Sequence, residues 1–281
     1  MLRRHSRLTP AGTLQLRPSR AWLGAVLVLG VSVLAVFIMV TAKAGPIFSD
    51  RFEPWPFNDT GIDTCGSASA NLLPCPVADF PGQDGDFGRD ALARAGQLQK
   101  IGGGVAGFDF TKLDPAGQAL PASASSWDCV HDNVTGLTWE VKRNQSGHLR
   151  HVLSVYSWYD PNPASNGGDA GLANGGFCSG SACDTHAFVQ AVNAQGLCGA
   201  SDWRLPSLAE LNDLANRSRL IPALDTDYFP WIPNMQFRYW TSNTSAVDPA
   251  EAWRWDIGNG FDWRDPKTSA HGVRLVRGPQ R

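Results

Sequence analysis

The 281-residue chain has no acidic residue before Gly45, no charge from Ala21 to Ala42, and no Cys-x2-Cys pair anywhere. Each absence excludes something. With the acids confined to the remainder, residues 45–281 hold 18 basic against 26 acidic residues, a net of −8. Such a body has no general pull toward a polyanion, so nucleic-acid partners are not expected. Without Cys-x2-Cys spacing, and with the nearest histidine, His186, outside a ligand pattern, the six cysteines do not read as a zinc site. No Lys-Ser/Thr follows Gly102-Gly103-Gly104, which excludes a phosphate loop, and no nucleophilic-triad string is present. What the chain does have is 43% apolar residues against 18% charged, enough for a sizeable core. Its length suits one ordinary domain with tails, or two small ones.

As a helix, the uncharged run AWLGAVLVLGVSVLAVFIMVTA (21–42) would be about 33 Å long, enough to cross a bilayer core. The basic tail of residues 1–20, with Arg3, Arg4, Arg7, Arg17 and Arg20, predicts a cytoplasmic N-terminus and export of the rest. The run exceeds the apolar stretch of a signal peptide, about 7–15 residues, so an uncleaved signal anchor in the inner membrane is expected. The C-terminal part then lies in the periplasm or outside. Ala42-Lys43-Ala44 before Gly45 supplies the alternative, a secreted or periplasmic product cleaved after Ala44.

Export places Cys65, Cys75, Cys129, Cys178, Cys183 and Cys198 in an oxidising compartment, where three disulfides are the default. Cys65–Cys75 is the local pair. A helix over Asp184–Gln195 would hold Cys183 and Cys198 about 20 Å apart, too far to bridge. Cys178–Cys183 with Cys129–Cys198 is preferred among the other pairings.

Residues 45–80 carry Pro46, Pro54, Pro56, Pro74 and Pro76 without helical or strand period, and read as an extended linker clipped by its own disulfide. Beyond Pro81 the pattern predicts a short helix over Asp90–Leu98, a strand within Lys100–Lys112, and a hairpin over Trp127–Lys142 around Asp132–Gly136. Ser154–Trp158 reads as a short strand and 161–180 as a long Asn/Gly/Pro loop. Two helices follow, Asp184–Gln195 with Asp184 or Thr185 as N-cap, and one opened by the capping box Ser207–Glu210. The tail returns to strands at Phe237–Ser242, Glu251–Ile257, Gly260–Arg264 and Gly272–Arg277. The order predicts a single α+β domain with two helices and a mostly antiparallel sheet.

Four strings go beyond composition: Asp132-x-x-Thr135-Gly136-Leu137-x-Trp139; Cys198-Gly199-x-x-Asp202-Trp203-Arg204-Leu205-Pro206; Glu210-Leu211; and Tyr239-Trp240-Thr241-Ser242, before a terminal Val273–Arg277. Their order resembles the Lcl C-terminal domain family of bacterial proteins, named after a collagen-like surface adhesin, over residues 127–278. The resemblance implies a C-type lectin-like fold over about 81–281. It also implies an adhesin-like, non-catalytic module, since the name-giving member binds sulfated glycosaminoglycans. The residues themselves read as structural: Trp139, Trp203 and Trp240 as core anchors, Asp202 and Arg204 as an ion pair or a helix cap.

The candidate contact surface is the hairpin Glu251–Lys267, with Arg254, Asp256, Asn259, Asp262, Trp263 and Arg264 as ligand-binding residues. Alternation sends Trp253, Trp255 and Ile257 to the core and turns Arg254 and Asp256 outward, with Asp262 and Arg264 beside them at the Gly258-Asn259-Gly260 turn. Guanidinium and carboxylate groups there suit a polar or sulfated sugar. Against a polyanion stands the net charge, unless Arg238, Arg254, Arg264, Arg274 and Arg277 gather on one patch. No Glu-Pro-Asn triplet exists; the nearest string is Ile232-Pro233-Asn234, so calcium-dependent sugar binding is not expected. Asp84, Asp86 and Asp90 alternate around Gly85 and Gly88 but lack the acid that completes a calcium loop. The resemblance also implies distant fold relatives among formylglycine-generating and sulfoxide-forming enzymes, and with them a second alternative, an enzyme of that fold. This chain has no cysteine after Cys198, and His148 and His151 form only H-x2-H with no following Glu. Asp256 and Asp262 could serve glycoside hydrolysis at the right separation, but such carboxylate pairs are common on strand faces. No catalysis, cofactor or metal is expected; a glycan or an envelope protein is the expected partner, with a structural or assembly role in the envelope as the alternative.

Overall fold

The computed structural model describes residues 56–219, 221–233 and 237–280. The basic tail, the apolar run 21–42 and the linker up to residue 55 lie outside the described residues, as does Asn234. Among the described residues no helix is long and apolar enough to cross a membrane.

The chain opens with a clip of β1 (Thr64–Cys65) paired to β2 (Leu73–Pro74), closed by the Cys65–Cys75 disulfide. This part of the linker is tied to the domain. Asn58 donates through its main-chain N–H to Asp213 (2.8 Å) and through its side-chain amide to Asp132 (2.6 Å). The Gly61 N–H donates to Asp90, which opens the seven-residue α1 (Gly88–Arg94). The predicted glycine-rich strand shortens to β3 (Phe110–Leu113), because Gly102–Gly104 fold back so that Gly103 pairs with Phe110.

The hairpin forms as expected. β4 (Cys129–Asp132) pairs with β5 (Thr138–Glu140), Val130 opposite Trp139. The Asp132 carboxylate closes the turn by accepting from the Val134 and Thr135 N–H groups, and Gly136 takes the left-handed φ of 74° that the turn requires. β6 (Tyr156–Ser157) follows. α2 (Thr185–Gln195) is capped by Asp184, which accepts from the Ala187 N–H at 2.8 Å, and ends at left-handed Gly196. In α3 (Leu208–Asp213) the capping box is complete, and Glu210 also holds Arg204. β7 (Arg238–Thr244), β8 (Glu251–Asp256) and β9 (Asp262–Pro266) form an antiparallel sheet in that order. β10 (Ala270–His271) pairs with β6, and β11 (Val276–Arg277) pairs with β5 at the edge of the sheet β11-β5-β4-β3.

The architecture is therefore α+β, with three α-helices among the described residues, the short one expected over Asp90–Leu98 and the two that follow, and several small sheets rather than one. The sheets separate two cores. Trp139, Tyr239, Trp255 and Ile257 join Leu211 and Leu214 of α3 on one side; Trp158, Trp203, Trp240 and Ala252 join Phe188 and Val192 of α2 on the other. Burying a side chain such as Phe188 contributes roughly 1.5–3 kcal/mol. Three of the tryptophans also place their indole N–H on a carbonyl: Trp158 on Thr241, Trp203 on Leu197 and Trp240 on Tyr156. The two remaining disulfides are Cys129–Cys198, which crosses from β4 to the end of the α2 segment, and Cys178–Cys183, the pairing preferred from sequence.

A buried ionic cluster was not foreseen. Glu140 takes Lys142 on one carboxylate oxygen (2.8 Å) and the Leu275 N–H on the other (2.9 Å). Arg274 is buried beside it, donating to the Glu140 carbonyl at 2.7 Å, with its guanidinium over the rings of Phe229 and Tyr239.

Candidate functional site

The β8–β9 hairpin brings the six candidate residues into one element but not onto one face. Arg254 stands opposite Trp263, Trp255 opposite Asp262 and Trp253 opposite Arg264. Directly opposed residues share a face, so Arg254 and Asp256 go with Trp263, while Asp262 and Arg264 go with Trp253 and Trp255. The expectation that Arg254, Asp256, Asp262 and Arg264 stand together is corrected. The cause is a single residue of register. A three-residue turn over Gly258–Gly260 would oppose Arg254 and Arg264, whereas the actual connection is one residue longer. The Asp256 N–H donates to the Phe261 carbonyl (2.7 Å) and the Gly260 N–H to the Asp256 carbonyl (2.9 Å). Two side chains lock that choice, Asp256 accepting from the Gly258 N–H and Asn259 from the Phe261 N–H.

The charges on both faces are paired within the chain. Arg254 meets Asp265 at 2.8 Å, and His271 meets the same carboxylate at 2.7 Å. Burial holds the His271 imidazole below its ordinary pKa in spite of Asp265. Arg264 meets Glu251 at 3.3 Å, and Arg238 lies 3.8 Å from Asp256. Asp262 accepts from the Asn212 amide at 3.3 Å. Arg277 pairs with Asp202 and Arg204 with Glu210, so Asp202 and Arg204 each find a different partner rather than one another. With Arg274 buried, the five arginines considered for a cationic patch do not make one.

What the hairpin exposes is aromatic. Trp263, on the outer strand β9, is 65% exposed, and Phe261, just before that strand, is 67% exposed. Trp255 and Ile257 are buried as expected, but Trp253 is only half-buried, with the Arg264 guanidinium 6.0 Å from its ring centroid. The acids of the Asp84–Asp90 loop serve structure: Asp84 accepts from the Thr60 hydroxyl, Asp86 completes a capping box with Gln83, and buried Asp90 accepts from Gly61 and Gly107. Sequence reasoning missed a cleft of about 490 Å³ between the start of α2, the loop after β6 and β7. Its residues come from five separate stretches, 158–165, 185–189, 204–205, 242–244 and Gln280, with no local motif to join them.

The model of the Lcl C-terminal domain family matches residues 128–277, more than half of the chain. The chain belongs to the Lcl C-terminal domain family. The match begins at Asp128, just before β4, and ends at Arg277 in β11. It thus takes in the Cys129–Cys198 bridge, the hairpin, the buried residues of the α2 core and most of the other core, and leaves Phe108, Phe110, Trp127 and the N-terminal clip outside. No curated protein matches the chain.

Proposed function

We propose that this Lcl-type chain is an exported, membrane-anchored and non-catalytic binding module of lectin-like fold, adhesin-like, for a surface or envelope glycan or protein. The supporting observation is the β9 face. Trp263 and Phe261 stand exposed in a family domain whose neighbouring charges are consumed by one another. A large amphipathic ring held on a strand supplies contact area at little ordering cost. Paired carboxylates and guanidiniums, by contrast, are poorly placed for proton transfer. The contact surface proposed is Trp263 with Arg254, Asp256 and the Asn259 turn on one face, and Asp262 with Arg264 on the other. A second reading, assembly of the envelope, draws on β9 being the outer strand of its sheet, where unpaired backbone groups accept a partner strand.

A glycan array with and without calcium, at low and high salt, is the test. Binding that falls in Trp263→Ala, or salt-sensitive binding lost in Arg254→Ala plus Arg264→Ala, is the result the first reading requires. Failure on every glycan together with one stable envelope partner recovered by cross-linking would leave only the assembly role. Hydrolysis of an arrayed glycan would sink both.

A further inference from the structure

We infer that a trough running from Tyr159 to Trp253, apart from the Trp263 surface, binds a neutral, hydroxyl-rich linear saccharide without a metal ion; this rests on the glycan arm of the reading above and adds to it a second contact with its own ligand class. The trough consists of two adjoining clefts, about 490 and 500 Å³, that share Asn243 and Thr244. Each is of the size that holds small ligands.

Its first end is fixed before any ligand arrives. The Thr185 hydroxyl accepts from the Tyr159 N–H and donates to the Tyr159 carbonyl, both at 2.9 Å, bolting this residue to the start of α2. The Tyr159 ring then meets His186 edge-on, centroids 6.1 Å apart and planes at 90°. The middle is built by an irregularity in β7. From Trp240 to Thr244 the strand advances four residues while β8 advances two, from Arg254 to Ala252. Such bulges re-aim side chains, and here Ser242, Asn243 and Thr244 line the cleft. The Asn243 carbonyl oxygen accepts from the Leu208 N–H at 2.7 Å, which orients its amide and leaves the two N–H donors for a ligand. Beyond, the second cleft reaches Asn212 and half-buried Trp253.

An aromatic ring at each end, with hydroxyls and an amide between, matches the chemistry of a sugar chain. Its pyranose rings present apolar C–H faces, and its hydroxyls both donate and accept. The charge pattern disfavours a sulfated chain. Arg204, on the wall, is held by both oxygens of Glu210 at 2.8 and 2.7 Å, and the Asp160 carboxylate is a second lining group. The loop carrying Asp160 needs no ion to hold it. The buried Lys267 ammonium donates to the carbonyls of Asn166 (2.8 Å) and Asp169 (2.6 Å) and sits 4.3 Å from the Trp158 ring centroid.

The test uses the full chain in detergent on an array of neutral β-glucan and chitin oligomers beside heparin oligosaccharides, with EDTA and at low and high salt. The expected result is binding to a neutral oligomer that ignores both EDTA and salt. It should weaken at least about tenfold in Tyr159→Ala and in Asn243→Ala, and persist in the control Ile101→Ser, whose side chain is 83% exposed elsewhere. Asn243 is an exposed residue, so its variant is expected to fold, and thermal melting checks both. Neutral-glycan binding lost in Trp263→Ala but intact in Tyr159→Ala and Asn243→Ala would overturn the trough while leaving the binding-module reading standing. Binding to heparin alone would overturn the ligand class. No glycan bound by the unmodified chain would defeat the inference together with the glycan arm it rests on.

Discussion

Replacing Glu140 by glutamine keeps the shape of the side chain and removes one charge from the interior. In the folded chain that carboxylate, fully buried, is the counter-charge of Lys142 at 2.8 Å and the acceptor for the Leu275 N–H. Burial pushes the Lys142 ammonium down to about 8 even with Glu140 pulling it up. Breaking one partner of a buried pair costs about 3–5 kcal/mol, because the other charge stays uncompensated. For a domain of this size, each kcal/mol lowers Tm by about 2–4 °C, so the variant should melt about 6–20 °C lower. The pH profile carries a second signature. Unfolded Lys142 titrates at its ordinary 10.5 and binds a proton that the folded residue has already lost above about 8. Its destabilising effect is therefore full below pH 8 and is relieved as pH rises toward 10.5, by about 3 kcal/mol in all. Without Glu140, the folded value drops further, and the relief should start below pH 8. Adding Lys142→Met to the variant should restore most of the loss. Thermal melts and urea titrations from pH 6 to about 10 measure all three. A Glu140→Gln chain within about 1 kcal/mol of the parent, with the same pH profile, would refute the reasoning.

Burial pushes the Asp90 carboxyl up to about 6, against the Gly107 and Gly61 N–H groups that lower it. Its stabilising contribution is present below 3.8, its unfolded value, and is lost as pH rises through about 6, about 3 kcal/mol at most; Asp90→Asn should flatten urea-unfolding stability across that window. Opening the Cys129–Cys198 bridge, 69 residues apart, should cost about 4 kcal/mol on loop entropy, against about 2 for Cys178–Cys183, 5 apart. Melting of the two double-alanine variants compares them, and equal losses would discredit the entropic account. Thiol titration of the denatured, unreduced chain should find no free cysteine. For the proposed anchor, N-terminal sequencing of the mature protein should not start at Gly45; that start would mean cleavage after Ala44 and a soluble product.

Much of the local structure was legible because its causes lie within a few residues. Asp132 and Gly136 close the β4–β5 turn with their own atoms, Ser207 and Glu210 cap α3 reciprocally, and Asp184 and Gly196 bound α2. Chain distance gave Cys65–Cys75 and one helix length excluded Cys183–Cys198, with the observed pairing the preferred one of those left, and the strings around Trp139, Trp203 and Trp240 identified both the core and the family.

What the tertiary structure alone decided concerns partners distant in sequence. One residue of loop between β8 and β9 moved Asp262 and Arg264 to the opposite face, because strand side chains alternate and a shift of one inverts them all. The arginines that a cationic patch would have had to gather met Asp265, Glu251, Asp256 and Asp202, or were buried in the interior as Arg274 was. Alternation says which way a side chain points, but not what stands opposite it. Lys142 and Lys267 are buried only because Glu140 and a ring of loop carbonyls enclose them. The trough at Tyr159 and Asn243 joins stretches more than eighty residues apart and depends on a bulge with no turn residue to announce it. Short-range hydrogen bonds are written in the order of residues, whereas register, charge pairing and clefts arise only when separate strands close on a common core.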